Sequence, residues 1–214
     1  MHTLAWVIVA FVAGTIPSPY LIALLARRPD VIKEMRREDS PGDAHFLVTR
    51  RISKPLGVLA MVLDVFKGLI PALVAVRAGE GVTTVSLVGV AAVAGHSFAP
   101  FLRKSGGRGL TTAAGVSLAI IPWAMVGSGV IALGGTIAKK GGFGTSVGFG
   151  LLPVFALLIG YPGGFVLMAV GIVALIAIRR LEGLDEDRRD GVSIGRAVVG
   201  RLLFDLPRGG QDFS

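Results

Sequence analysis

Residues 95–109 read Gly95-His96-Ser97-Phe98-Ala99-Pro100-Phe101-Leu102-Arg103-Lys104-Ser105-Gly106-Gly107-Arg108-Gly109, an apolar run with one histidine that empties into glycines and cations. Such a loop leaves backbone N–H groups free. With Lys104 and Arg108 beside Gly106, Gly107 and Gly109, those groups are suited to cradle a phosphate. Thr111 and Thr112 then open the next apolar run. The order is not a Walker A, which needs a terminal Gly-Lys-Ser/Thr. The imidazole of His96 titrates near neutrality in its unperturbed state, so it suits a group that accepts a hydroxyl proton or binds a phosphate oxygen. The plainer readings are a hydrogen-bonded interior histidine and a bare cytoplasmic turn with anchoring cations.

A second constellation, Leu63-Asp64-Val65-Phe66-Lys67-Gly68, puts opposite charges three residues apart on one helix face inside an apolar run. Ionisable groups at such depth cost several kcal/mol unless they are paired or face a polar cavity. Either the pair only holds helices together, or Asp64 presents Lys67 to a site while Gly68 lets another helix come close. A third segment, Ser40-Pro41-Gly42-Asp43-Ala44-His45 followed by Arg50-Arg51, has ordinary turn residues and topology-setting arginines and is uninformative alone.

The elements that must hold these groups are membrane helices. Of 214 residues, 52% are hydrophobic and 17% charged, with a mean hydropathy of +0.72; this is a polytopic membrane protein, not a soluble domain. The expected fold class is all-α, because helices satisfy their own backbone groups in lipid. Apolar runs cover 3–26, 56–76, 83–102, 110–138, 145–160 and 165–178. The first lacks a small-residue cleavage site and reads as a retained helix, not a signal segment. Pro122 divides the fourth run, and the piece 110–121 would extend only about 18 Å as a helix, so it is expected to be tilted or re-entrant.

Seven segments with an external N-terminus put Arg27, Arg28, Lys33, Arg36, Arg37, Arg50, Arg51, Lys54, Arg103, Lys104, Arg108, Lys139, Lys140 and the arginines of the tail on the inner side, leaving Arg77 outside. Six segments would move the tail and the lysine pair across. The expected division is a membrane domain over 1–180 and a polar cytoplasmic tail over 181–214. In that tail, 192–204 forms either an amphipathic interfacial helix or a loosely ordered chain. The net charge of +8 then belongs to one membrane face, which attracts anionic headgroups and phosphorylated metabolites and leaves no case for nucleic acid. The chain has no cysteine, which rules out disulfides and thiolate metal sites, and three scattered histidines argue against a histidine-rich metal centre. No internal repeat supports a repeat-built transporter.

Taken in order, these motifs resemble the acyl-phosphate glycerol-3-phosphate acyltransferase family of bacterial membranes, PlsY. Gly14-Thr15-Ile16-Pro17-Ser18-Pro19-Tyr20-Leu21 is similar to the family's first-helix Gly-Ser-Ile-Pro, and Leu63 to Gly68 is similar to its Leu-Asp-x-x-Lys-Gly. Residues 95–112 are similar to its Gly-His-x-Phe-Pro-x-Phe-Leu and Phe-Lys-Gly-Gly-Lys-Gly-Val-Ala-Thr, with Arg108 at the second lysine. The resemblance runs from about residue 10 to about residue 180 and is that of a divergent member. Ser40 and Arg50 match the serine and arginine of the family's first loop, while Pro41 to Leu47 between them do not match it. Ser105 replaces a loop lysine, Arg179-Arg180 with Glu182 and Glu186 stand at the third motif, and the chain has no asparagine.

The resemblance implies seven membrane helices in a bacterial inner membrane, with the motifs at the cytoplasmic face. It implies transfer of a fatty acyl group from acyl phosphate to the 1-hydroxyl of glycerol 3-phosphate, without cofactor or metal. On that reading His96 and Ser40 are the catalytic residues, His96 orienting or deprotonating the hydroxyl and Ser40 hydrogen-bonding a substrate. Arg50, Asp64, Lys67, Lys104, Gly106, Gly107, Arg108, Gly109 and Thr112 are the expected substrate-binding residues, and the acyl chain lies between helices open to lipid. Two other readings stand beside it. One is a small carrier of a phosphorylated or anionic solute that uses Asp64, Lys67 and His96 as a relay near the midplane. The other is a non-catalytic descendant.

Overall fold

The structure, a computed structural model, describes residues 2–37, 44–99, 107–182 and 184–204; Ser40, Lys104 and Gly106 lie outside the described residues. The chain divides into two compact units, residues 1–120 and 121–214. The division falls where Pro122 disfavours the helical region for its predecessor, and Ile121 accordingly leaves it, at φ −131° and ψ 58°.

The first unit holds α1 (Thr3–Gly14), α2 (Ser18–Leu25), α3 (Pro29–Arg37), α4 (Ala44–Arg51), α5 (Lys54–Arg77), α6 (Val82–Ser97) and α7 (Leu110–Ile120). The run 3–26 is broken between α1 and α2 with a bend of 47°. The cause is Pro17, which disfavours a helical Ile16, with Pro19 then opening α2. The longest helix, α5, starts cleanly because the Ser53 hydroxyl accepts from the Leu56 N–H at 3.3 Å and Pro55 sits in the first turn, where a missing donor costs nothing. It buries Ala60, Asp64, Gly68, Pro71, Ala72 and Ala75 and exposes Val62, Phe66 and Ile70. Small groups inside and large apolar groups outside are the pattern of a helix solvated by lipid.

Backbone meets backbone where α5 crosses α7. A Cβ built on Gly68 would lie 2.2 Å from the Thr112 carbonyl oxygen, and one built on Gly115 would lie 2.0 Å from that of Val65. α1 and α6 meet the same way, Gly14 against the Ala92 carbonyl and Gly95 against that of Phe11. Gly68→Ala is therefore expected to force the two helices apart at a cost of about 1–3 kcal/mol. Thermal unfolding in detergent should show a midpoint several degrees lower, and an unchanged midpoint would contradict this contact.

A side cluster of Tyr20, Ile22, Ala23, Val31, Met35, Leu47, Val48 and Ala60 seats α3 and α4 on α2 and α5. Charges clasp its rim. Arg28 pairs with Asp30 and donates to the Arg51 carbonyl at 2.7 Å, and Arg51 pairs with Glu34 at 2.8 Å. The Arg28 guanidinium holds the Asp30 carboxyl down to about 2. The Arg28–Asp30 pair is thus charged throughout the neutral range and releases only as the pH falls through that value. At the far end of α5, the Trp6 indole donates to Glu80 at 2.5 Å, and the hydroxyls of Thr3 and Thr84 share a bond at 2.9 Å.

The second unit holds α8 (Pro122–Ile137), α9 (Gly141–Gly150), α10 (Leu152–Ile159), α11 (Gly163–Leu181), α12 (Leu184–Arg189) and α13 (Ile194–Leu203). α8 and α9 meet at Gly135 and Gly144, α9 and α10 bend by 41° ahead of Pro153, and Gly160 ends α10 in the left-handed region at φ +86°. By length and composition α5 and α11 can each cross a membrane, and up to four spans result if each bent pair counts as one; α6, α7 and α8 are shorter apolar helices. Each apolar run read from the sequence carries helix, though 3–26, 110–138 and 145–160 are each interrupted and α6 ends at Ser97, short of the expected 102. Of the two readings of 192–204, the helix is the one found. It is held by Arg201, whose Nε donates to Asp187 at 2.5 Å and whose Nη1 donates to the Glu182 carbonyl. Arg180 reaches α13 as well, donating to the Leu202 carbonyl at 2.8 Å and to the Ser146 hydroxyl on α9.

Candidate active site

The last turn of α6 carries His96, buried at 8% exposure, and the chain returns from the loop to lie on it. The Gly107 N–H donates to the His96 carbonyl at 3.2 Å, and a Cβ on Gly107 would stand 2.0 Å from Nε2 of the imidazole. Gly107 is therefore the lid of the histidine ring, and any larger residue would displace one or the other. Two residues on, Gly109 sits at φ +87°, a conformation that disfavours a side chain, and its carbonyl accepts the Ala113 N–H at 2.8 Å to begin α7. The free N–H groups of that first turn and the positive end of the helix stand beside the loop that carries Arg108, which is half-buried.

The α5 pair lies just behind. Lys67 Nζ stands 2.8 Å from Asp64 Oδ1 and donates to the Ile16 carbonyl at 2.9 Å, with both side chains at most 7% exposed. Ile16 belongs to the α1–α2 break, where the interrupted helix leaves its carbonyls in need of donors. The Asp64 backbone carbonyl in turn accepts the Thr112 hydroxyl at 3.0 Å. One chain of contacts thus runs from the α1–α2 break through Lys67 and Asp64 to the start of α7. A second runs from Gly14, whose Cβ would lie 3.0 Å from the His96 nitrogen, to the ring under Gly107. Thr112, the third residue of α7, meets α5 near its middle.

Of the expected residues, His96, Gly107, Gly109, Asp64, Lys67 and Thr112 are joined by these contacts, with Arg108 between two of them in the chain. Arg50 stands exposed on the last turn of α4, which Gly57 seats by passing against Thr49. Ser40, Lys104 and Gly106 are outside the described residues. The expectation did not include Ile16, whose carbonyl anchors Lys67; the sign was Pro17, which marks where a helix must release a carbonyl. Nor did it include Arg180 as the tie between α9, α11 and α13. An arginine at the end of a span reads as a topology signal, and only the fold supplies its partners.

Residues 4–185 match the family model described as glycerol-3-phosphate acyltransferase. The chain is 31% identical over 204 residues to glycerol-3-phosphate acyltransferase 4 of Dehalococcoides mccartyi strain CBDB1, covering 91% of this chain and 85% of the relative. It is 33% identical over 187 residues to the glycerol-3-phosphate acyltransferase of Aquifex aeolicus strain VF5, covering 86% and 95%. Among solved structures it is similar to the glycerol 3-phosphate form of PlsY (YgiH), an integral membrane glycerol 3-phosphate acyltransferase. The TM-score there is 0.73 and the identity 30%, over 98% of this chain and 96% of that one. The lysophosphatidic acid form of the same protein gives a TM-score of 0.72, over 89% and 93%. With the family model matched over residues 4–185 and relatives 31% and 33% identical over most of both chains, the chain belongs to the glycerol-3-phosphate acyltransferase family of integral membrane proteins.

Proposed function

We propose that the site transfers a fatty acyl group from acyl phosphate to the 1-hydroxyl of glycerol 3-phosphate, giving lysophosphatidate and inorganic phosphate for phospholipid synthesis. The observation that carries this reading is the buried His96 roofed by Gly107 at the start of α7, which puts a proton-bonding group beside an anion-binding turn. The hydroxyl oxygen attacks the acyl carbonyl carbon, and the bond from that carbon to the phosphate oxygen breaks. The electron pair leaves with phosphate, and the hydroxyl proton ends on the phosphate product, directly or through His96. The donor is already an activated anhydride, so the protein's task is to neutralise two phosphates and align a hydroxyl with a carbonyl.

In this assignment Arg108 and the amides around Gly107 and Gly109 hold phosphate, joined by Arg50, Lys104 and Gly106. Ser40 hydrogen-bonds a substrate, and His96 orients the hydroxyl. Asp64, Lys67 and Thr112 position rather than bind, since they engage one another and the Ile16 carbonyl. The protein is placed in a bacterial cytoplasmic membrane with the N-terminus outside. Supporting this, the second unit has Lys139, Lys140, Arg179 and Arg180 toward one end and the Trp123–Tyr161 contact at the other.

The test is to give purified protein acyl phosphate and glycerol 3-phosphate and to follow phosphate release. Release that depends on glycerol 3-phosphate is expected, and its absence in well-folded protein would overturn the reading. Arg108→Ala is expected to raise the KM of a phosphorylated substrate by about tenfold or more, the loss of one charge-assisted contact. Arg77→Ala, exposed at the other end of α5, should leave both constants alone. Equal effects from the two would count against the site.

A further inference from the structure

Beyond acyl transfer, we propose that α13 is a lipid-surface anchor. Its outer face rests at the headgroup boundary, and the phosphates of anionic phospholipids lie against Arg196, Lys139 and Lys140. The height of this helix is set by the membrane helix beside it. Arg180 lies in the last turn of α11, a candidate span, and donates to the Leu202 carbonyl at 2.8 Å. The Phe204 ring packs on Phe143 at the start of α9, with centroids 5.6 Å apart. The C-terminal half of α13 therefore lies within one arginine's reach of the end of a spanning helix. That distance is comparable with a headgroup layer about 5–8 Å thick.

The residues on α13 then divide as an interface requires. Ala197, Gly200 and Arg201 are buried, with Arg201 already neutralised by Asp187. On an adjoining face at helical spacing stand Arg196, Val199 and Leu203, the two apolar residues 46% and 41% exposed. Nothing acidic occurs on α13, and Lys139 and Lys140 are exposed just ahead of Phe143. The exposed acids of this region, Asp185 and Asp190, sit on or just after α12. Exposed apolar side chains on a helix without acids, with the exposed Lys139 and Lys140 nearby, fit the boundary of an anionic leaflet, where each lysine or arginine contributes about 1 kcal/mol.

Because the chain has no cysteine, Val199→Cys supplies a single thiol for an environment-sensitive fluorophore. The labelled full-length protein is reconstituted in vesicles of phosphatidylcholine alone and of phosphatidylcholine with phosphatidylglycerol, in each case with brominated acyl chains as quencher. The expected result is blue-shifted emission with bromine quenching that is stronger with phosphatidylglycerol. Lys139→Glu with Lys140→Glu should lose that extra part. Quenching by aqueous iodide and not by bromine overturns the proposal, and so does equal bromine quenching in the two vesicles. An unfolding midpoint matching the unlabelled protein certifies the fold; if Val199→Cys fails that check, Leu203→Cys carries the label with the same criteria.

Discussion

Replacing Gly107 by alanine is expected to lower turnover by about 100-fold, the scale of loss when reacting groups are misplaced by about an ångström. The new Cβ would lie 2.0 Å from Nε2, 2.6 Å from Cε1 and 3.0 Å from Cδ2 of His96, so no small rotation clears the ring. The imidazole is buried in the last turn of α6 and the loop is tied to the same turn by the Gly107 N–H. One of the two must give. On the proposed assignment, if the ring swings away the hydroxyl loses its partner, and if Gly107 lifts the amides before α7 no longer meet the phosphate. Either way kcat should fall more than substrate KM rises, with little change in the unfolding midpoint. Gly81→Ala is the matched control, because a Cβ there meets nothing within 4 Å and the residue lies at the opposite end of α6. Wild-type kcat in Gly107→Ala would show that the ring and the loop do not work as a unit.

That contact explains why motif order was readable from the chain while its geometry was not. Apolar runs report lipid solvation directly, so the helices and the break at Pro122 follow from the sequence, whereas the bends ahead of Pro19 and Pro153 fall inside runs read as single segments. Residue type also marks Gly107 as a place for close approach, yet nothing local says that the atom approached is Nε2 of a residue eleven positions earlier. The same holds for Lys67. Its spacing from Asp64 predicts an ion pair on one face, and the pair is there at 2.8 Å. Its second partner, the Ile16 carbonyl, is 51 residues away and exists only because a proline interrupts another helix. The C-terminal arginines are the converse case. A charged tail reads as solvated, but Arg201 and Asp187 bury each other and draw 184–204 into a folded element.

The Lys67 arrangement leads to the largest expected change in stability. Lys67→Met leaves the Asp64 carboxylate buried without its cation and takes one donor from the Ile16 carbonyl, which keeps only the Ser18 N–H. Breaking a buried pair by removing one partner costs roughly 3–5 kcal/mol, whereas removing both charges is far milder. Lys67→Met together with Asp64→Asn should therefore unfold at a clearly higher temperature than Lys67→Met alone. The two substitutions should couple by about 1–3 kcal/mol, as residues in one network do. The kinetics of the double variant decide the role of the ammonium. If Lys67 bolts the α1–α2 break to α5, and through Asp64 to the start of α7, recovery of the fold should bring back substrate KM and much of kcat. If Lys67 itself binds phosphate, KM stays raised in a protein whose unfolding midpoint has recovered, and the positioning role assigned to it fails. The first outcome is expected, because the ammonium is already paired with Asp64 at 2.8 Å and donates to the Ile16 carbonyl, and a phosphate drawn to it would have to be desolvated beside a carboxylate.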